Sequence, residues 1–358
     1  MALSIPLVWT DAHRLHAPET GIWVGVRIPA DELPARAEAI REALVDAGAP
    51  VVAAEPHADD ALVAVHDREL VEFLRGAWDA WQASGYPEDP GQDEVAGYIF
   101  PTQGLLAGLD SRVPASLAAR TGAYCYDTMT LVGAGTWEAA RAAVDAALTA
   151  ADLVLGGARA AYACCRPPGH HVTRGAFGGS CYLNTAAVTA QYLRDRGARR
   201  VAVLDVDAHH GNGAQAIFWE REDIFTTSVH VDPARGWFPH FLGFEDERGA
   251  GEGAGANLNV PLAPGSGDDV WLAAVERVVG SARAHSSDAL VVPLGVDAAA
   301  DDPNSPLEVS AAGFREAGRL LVGLGLPTVF VQEGGYVLET IGPLVRAALE
   351  GFEEGARR

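Results

Sequence analysis

The sequence predicts an α/β fold: a single-domain, doubly wound parallel sheet with flanking helices and long loops at the C-terminal strand edge. Three observations carry this. Apolar runs of strand length alternate with helical stretches, the pattern of successive βα units. The runs are continuously apolar rather than alternating with period two, so helices cover both faces of the sheet. Finally, acids, histidines and a tyrosine follow the runs, at the edge where parallel sheets bind ligands.

The elements follow in order. Residues 135–162, GTWEAARAAVDAALTAADLVLGGARAAY, have a helical pattern, and the overlapping run LVLGGARAAYACC is an ambiguous strand-type run that also reads as helix and then strand. Strand-type runs are RRVAVLDVD, DIFTTSVHVD, DALVVPLGVD and LPTVFVQEGG. Helical patterns are NTAAVTAQYLRDRG, DVWLAAVERVVGSARAH and SAAGFREAGRLLVGLG. Residues 84–116 are rich in Pro, Gly and acids and lack periodicity. A loop of that length in a compact domain marks a functional segment or an interface. The glycines of GAGEGAG do not join a strand to a helix start, so they form a turn into the extended LNVPL rather than a dinucleotide fingerprint. No repeat or low-complexity linker divides the chain, and residues 1–358 are expected to form one catalytic domain with an insertion at about 84–116.

Composition narrows the function. Hydrophobic residues make up 49% of the 358, enough for a large core, and charged residues 21%, which argues against disorder. Acids outnumber bases 48 to 26, a net charge of −22. Such a field serves solubility, repels nucleic acid and anionic membranes, and attracts cations. Every basic residue is Arg; there is no Lys. Cys125, Cys164, Cys165 and Cys181 have no metal-finger or disulfide spacing, which suits a reducing, cytoplasmic compartment. The N-terminus lacks a signal-peptide pattern, and no apolar stretch approaches the ~20 residues of a membrane span.

The run ending in DVDAHHG packs two carboxylates and two imidazoles into a few residues. Buried charges of this kind need pairing or a metal. Side chains at i and i+2 of an extended segment share a face, so Asp205, Asp207 and His209 are expected to point the same way. Asp207 and His209, with Asp297 at the end of ALVVPLGVD, make an Asp2His set with open positions, as catalytic zinc is held. His170 and His171 follow the stiff turn RPPG and read as acid–base groups. Tyr336 follows Gly334 and Gly335, where a phenol can donate to a developing oxyanion. Together these residues suit metal-assisted hydrolysis of a carbonyl compound, most naturally an amide.

RPPGHH, DVDAHHGNG, LGVD and EGGY, in this order, resemble the histone deacetylase superfamily and its arginase/deacetylase fold. GTWEAA, FGGSCYLNTAAV, DPARGWFPHFLG and LGVDAAADDP look most like its bacterial acetylpolyamine amidohydrolase branch. The resemblance implies one zinc on Asp207, His209 and Asp297, with His171 as general base and then acid. His170 becomes its electrostatic partner, oriented by Asp205, and Asn212 orients His171. Tyr336 polarises the acyl carbonyl. The resemblance also implies a structural potassium held by the Asp205 side chain, backbone oxygens of Asp207 and His209, Ser228 and the Val229 carbonyl. Phe238, Gly179, Ser180 and Gly334 would contact substrate, and the long 84–116 loop would form a homodimer.

Two departures concern the substrate. Glutamates at the tunnel mouth of polyamine-selective relatives correspond here to Ala118 and Met129, leaving Asp127, Asp93 or Glu94 as substitutes. A second tunnel aromatic is replaced by Ser180, which widens the tunnel or makes one wall polar. The expected activity is a zinc-dependent deacetylase of small acylated amines. A protein-lysine deacylase is the alternative, disfavoured by a rim that the 84–116 insertion would narrow. A catalytically silent metal-binding protein would not need the full set of groups, and the two-manganese ligand set of a ureohydrolase is missing.

Overall fold

In the computed structural model, which describes residues 2–357, an eight-stranded parallel sheet runs through the molecule. Met1 and Arg358, the ends of the expected 1–358 domain, lie outside the described residues. The strands are β1 Leu7–Trp9, β2 Thr20–Trp23, β3 Val26–Pro29, β4 Val51–Ala53, β5 Ala160–Ala163, β6 Val201–Asp205, β7 Ile224–Val231, β8 Asn257–Leu262, β9 Ala289–Leu294 and β10 Thr328–Gln332. Their order in the sheet is β4-β1-β5-β10-β9-β6-β7-β8, and β2–β3 form a separate antiparallel hairpin. The helices are α1 Pro34–Asp46, α2 Asp60–Val63, α3 Arg68–Gln82, α4 Gln103–Leu106, α5 Leu117–Tyr124, α6 Thr136–Leu155, α7 Thr185–Asp195, α8 Asn212–Phe218, α9 Asp268–His285, α10 Ala311–Val322 and α11 Leu338–Gly355.

The continuously apolar strands are buried on both faces for a visible reason. Successive residues of one strand enter different cores. Leu290, Val292 and Leu294 of β9 pack with α1, α9, α10 and α11. Ala289 and Val291, on the opposite face, pack with α3, α6 and α7. The ambiguous 135–162 stretch divides at Gly156–Gly157, where Gly157 takes φ +104° and ends α6 before β5. LNVPL lies in β8, reached through a short 3₁₀ turn at Gly251–Gly253. The short strands β1 and β4, three residues each, and the 20–29 hairpin have no counterpart in the sequence reading. The four Cys are buried and unbridged. No helix of the described residues is long and apolar enough to cross a membrane.

The 84–116 segment is largely irregular, with α4 inside it. It packs beside α5: Val95 bridges Val132, and the Ile99 carbonyl sits where a Cβ on Gly122 would lie. None of its residues lines the cavity at the sheet edge. The expectation that it narrows the rim is therefore corrected within one chain. The β2–β3 hairpin, with Thr20, Ile22, Trp23 and Ile28 among the lining residues, forms a wall there instead.

Candidate active site

The four middle strands, β5, β10, β9 and β6, deliver their following residues to one place. β6 ends at Asp205, so strand alternation is not what sets the directions of Asp207 and His209. A chain of backbone bonds does. Asp207 N–H donates to Asp205 Oδ1 at 3.0 Å, and His209 N–H donates to Asp207 Oδ1 at 2.8 Å. Ala208 N–H reaches across to Asp297 Oδ1 at 2.9 Å. These bonds gather buried Asp207 and Asp297 and partly exposed His209 into one donor cluster. His209 Nδ1 lies 2.9 Å from Asp297 Oδ2 and 3.3 Å from Asp207 Oδ1. Among the described residues, no guanidinium pairs with either carboxylate. Burial, with the charge of Asp207, pushes Asp297 up to about 7. Two close, buried acids and an imidazole with no fixed cation are a donor set that fits a divalent ion such as zinc.

Gly334 backs this cluster. Its N–H donates to Asp207 Oδ2 at 2.8 Å, and a Cβ there would fall 2.4 Å from Asp297 Oδ2. It does not line the cavity, so the structure places it behind the acids rather than against a substrate.

The paired histidines sit side by side, ring centres 4.0 Å apart, in opposite electrostatic settings. His170 Nδ1 meets Asp205 Oδ2 at 2.9 Å. Burial alone would lower its pKa, but Asp207 and Asp205 outweigh it and hold the ring well above the ordinary value. His171 Nδ1 donates to the Asn212 carboxamide oxygen at 2.7 Å, which leaves Nε2 unprotonated. Burial, with charged His170 beside it, pushes His171 well below its ordinary value. One imidazolium and one neutral imidazole therefore stand together. Asn212 is placed by α8, which begins there after Gly211.

Tyr336 is kept protonated by burial, which raises its phenol well above its usual range. Its backbone N–H donates to Asp302 Oδ2 at 2.7 Å, and the Arg36 guanidinium lies over its ring at 4.6 Å. Arg36 also donates to the carbonyls of Gly335 and Glu333 and pairs with Glu32 at 2.5 Å. Arg166 joins the same carboxylate at 2.9 Å. Sequence reading missed Arg36, Glu32, Arg166 and Asp302; the Arg before PPG was the only visible trace. Glu333 was missed too. Its Oε2 accepts the N–H groups of Gly169 and His170, and burial pushes it up to about 7. His170, Cys181 and Glu333 form a second group of potential donors. His170 is committed to Asp205, and burial holds the Cys181 thiol protonated, so the group is a poor metal site.

A cavity of about 490 Å³ opens over these groups, with His171, His209 and Tyr336 among its lining. Phe238, 4.8 Å from the His171 ring, Gly179, Ser180 and Met129 line it as well. Ala118 is buried on α5 and does not. Trp23 and Trp237 supply aromatic surface where Ser180 offers none. The three acids expected as substitutes are not available. Asp93 and Glu94 lie outside the lining. Asp127 accepts the N–H groups of Met129, Thr130 and Gly179, so its charge is spent on holding the wall. Ser228, the expected potassium ligand, is the register partner of Asp205 on the neighbouring strand.

A doubly wound parallel sheet whose carboxyl edge gathers two acids, paired imidazoles and a phenol at one cavity defines an architectural class, an α/β enzyme with its site at the strand ends. Residues 30–352 match the histone deacetylase domain, and the chain belongs to the histone deacetylase family. It is 41% identical over 351 residues to acetylpolyamine amidohydrolase 1 of Pseudomonas aeruginosa, covering 98% of this chain and 99% of that one. It is 40% identical to the acetylpolyamine amidohydrolase of Mycoplana ramosa, with 96% and 98% covered. The crystal structure of the acetylpolyamine aminohydrolase from Burkholderia pseudomallei superposes with a TM-score of 0.91 at 40% identity, covering 98% and 99%.

Proposed function

We propose that this protein is a zinc-dependent amidohydrolase that removes acetyl or similar acyl groups from small amines such as acetylpolyamines. The observation that carries it is the meeting of neutral His171, the His209 cluster and a protonated Tyr336 at one cavity. Asp207, His209 and Asp297 would hold the zinc, which supplies Lewis-acid polarisation of the amide carbonyl and of the attacking water.

The chain's own groups do the rest. His171 Nε2 accepts the proton of the water as it attacks, and later delivers it to the departing amine nitrogen. Charged His170, held by Asp205, stabilises negative charge developing beside it. Tyr336 donates its phenolic hydrogen to the oxygen that becomes an oxyanion. Phe238 and Gly179 shape the wall along which the acyl amide lies. Asp205, Ser228, the Val229 carbonyl and the backbone oxygens of Asp207 and His209 would hold a potassium ion, which offsets the buried Asp205 charge. A homodimer through the 84–116 segment is supported by its exposed apolar side chains: Tyr98 is 71% and Leu109 76% exposed. The partners are small acylated amines; the −22 charge argues against nucleic acid and anionic membranes.

The test is hydrolysis by zinc-loaded protein of monoacetylated diamines, an acetyl-lysine peptide and longer-acyl versions. Cleavage of the free acetylamines is expected, and Tyr336→Phe should lower kcat about 10²- to 10³-fold with KM little changed. Preference for the peptide would move the protein to the lysine-deacylase reading.

A further inference from the structure

We infer that Asp31, assisted by Asn304, is the recognition site for a protonated amine at the far end of the substrate; this rests on the amidohydrolase reading above. The cavity lining contains two carboxylates, Asp31 and Glu32, and no arginine. They are neighbours in sequence but opposites in state. Glu32 is buried and clamped by Arg36 and Arg166 at 2.5 and 2.9 Å, so its charge is balanced internally. Asp31 is exposed and makes no ion pair among the described residues. Its one recorded contact is from the Asn304 Nδ2 group, at 3.5 Å across the cavity mouth. In a chain that balances many of its acids with arginine, an unbalanced carboxylate on a cavity wall is a place for a cation from outside.

Both sides of this pair are held in position. Asp31 lies between Pro29 and Pro34, whose rings fix the backbone. The next residue's carbonyl accepts Arg166 Nη2 at 2.9 Å. On the other wall, Asn304 N–H donates to Asp302 Oδ1 at 2.9 Å, and the other oxygen of Asp302 accepts the Tyr336 N–H. The loop that carries Asn304 is thus tied to the phenol that faces the scissile amide. With Nδ2 turned toward Asp31, the Asn304 carbonyl oxygen is left as a second acceptor. An ammonium has three donors to satisfy, and a carboxylate with a carboxamide oxygen meets two of them. Trp23 and Trp237 line the same cavity and offer faces that favour a cation. The substrate class is a linear amide whose amine half carries a second, protonated nitrogen.

The experiment compares monoacetylated 1,5-diaminopentane with N-pentylacetamide, its uncharged isostere. The readout is the ratio of kcat/KM for the charged amide over the neutral one. The wild-type ratio should be well above one and should fall with added salt. Asp31→Asn should lower the ratio about ten- to hundredfold, through KM of the charged amide, as expected for a lost hydrogen bond to a charged group. Asn304→Ala should lower it in the same direction by less, and Asp31→Glu should retain most of it. A ratio unchanged by Asp31→Asn overturns the assignment. A wild-type ratio near one, with both amides cleaved, overturns it while leaving the amidohydrolase reading intact. Wild-type protein that cleaves neither amide overturns that reading itself, and the assignment with it.

Discussion

Asn212 decides which nitrogen of His171 carries the proton, because a carboxamide oxygen at 2.7 Å can only accept. Replacing it with a carboxylate keeps the geometry and adds a charge. Asn212→Asp should therefore stabilise the imidazolium and raise the His171 pKa. A base must be neutral to work, so the acidic limb of kcat/KM should move to higher pH. A pH–rate profile reads this, and an unmoved limb would show that residue 212 does not govern the base. Much at this scale was legible in the sequence. Asp205, Asp207, His209, Asp297, His170, His171 and Tyr336 announce themselves as polar groups following apolar runs. Asp127 did not. It looked like a spare acid for the substrate, and only the structure shows its oxygens filled by backbone N–H groups. Whether a carboxylate is free or committed depends on partners whose sequence separation carries no local pattern.

Between elements, Glu32 is the joint. It ties the segment after the β2–β3 hairpin to α1 through Arg36 and to the turn after β5 through Arg166, while Arg36 continues to the backbone after β10. Its pKa is set by burial, which raises it, against Arg166 and Arg36, which prevail and lower it. Glu32→Gln would leave two buried guanidiniums short of a counter-charge. A loss of about 3–5 kcal/mol follows, measurable from the shift of the urea midpoint. Little of this level was readable beforehand. The long strands and helices were, because each carries enough residues to show its apolar period. β1 and β4, with three residues each, do not. The hairpin's role in lining the cavity was assigned instead to the 84–116 segment, because an aperiodic acidic loop looks like a rim whichever side of the molecule it packs on.

Across the whole molecule, buried neutral histidines set the tolerance to acid. His66 Nδ1 donates to the Thr173 carbonyl and its Nε2 accepts the Asn184 N–H, both at 3.0 Å, so the ring has no room for a second proton. Burial lowers it from 6.5 to about 4, and His16 is lowered likewise. Above pH 6.5 their contribution is complete. As pH falls toward 4 the unfolded chain takes up protons that the folded one refuses, and stability declines by roughly 3 kcal/mol per histidine. Thermal melting between pH 7 and 4 should show a steep fall. His66→Gln should lie lower at pH 7 and fall less steeply, and an equal slope in the variant would remove His66 from the account.

The strand that leads to Glu333 and Tyr336, β10, is the last of the sheet in the chain yet lies in its centre, between β5 and β9. A nascent or refolding chain therefore holds two incomplete half-sheets with open inner edges until β10 slides between them. Such edges invite pairing with other chains, and closing contacts this distant in sequence is slow. Until that strand arrives Tyr336, the donor proposed for the substrate carbonyl, is not in place. Hydrolytic competence and protection from self-aggregation should therefore appear in the same late step of folding.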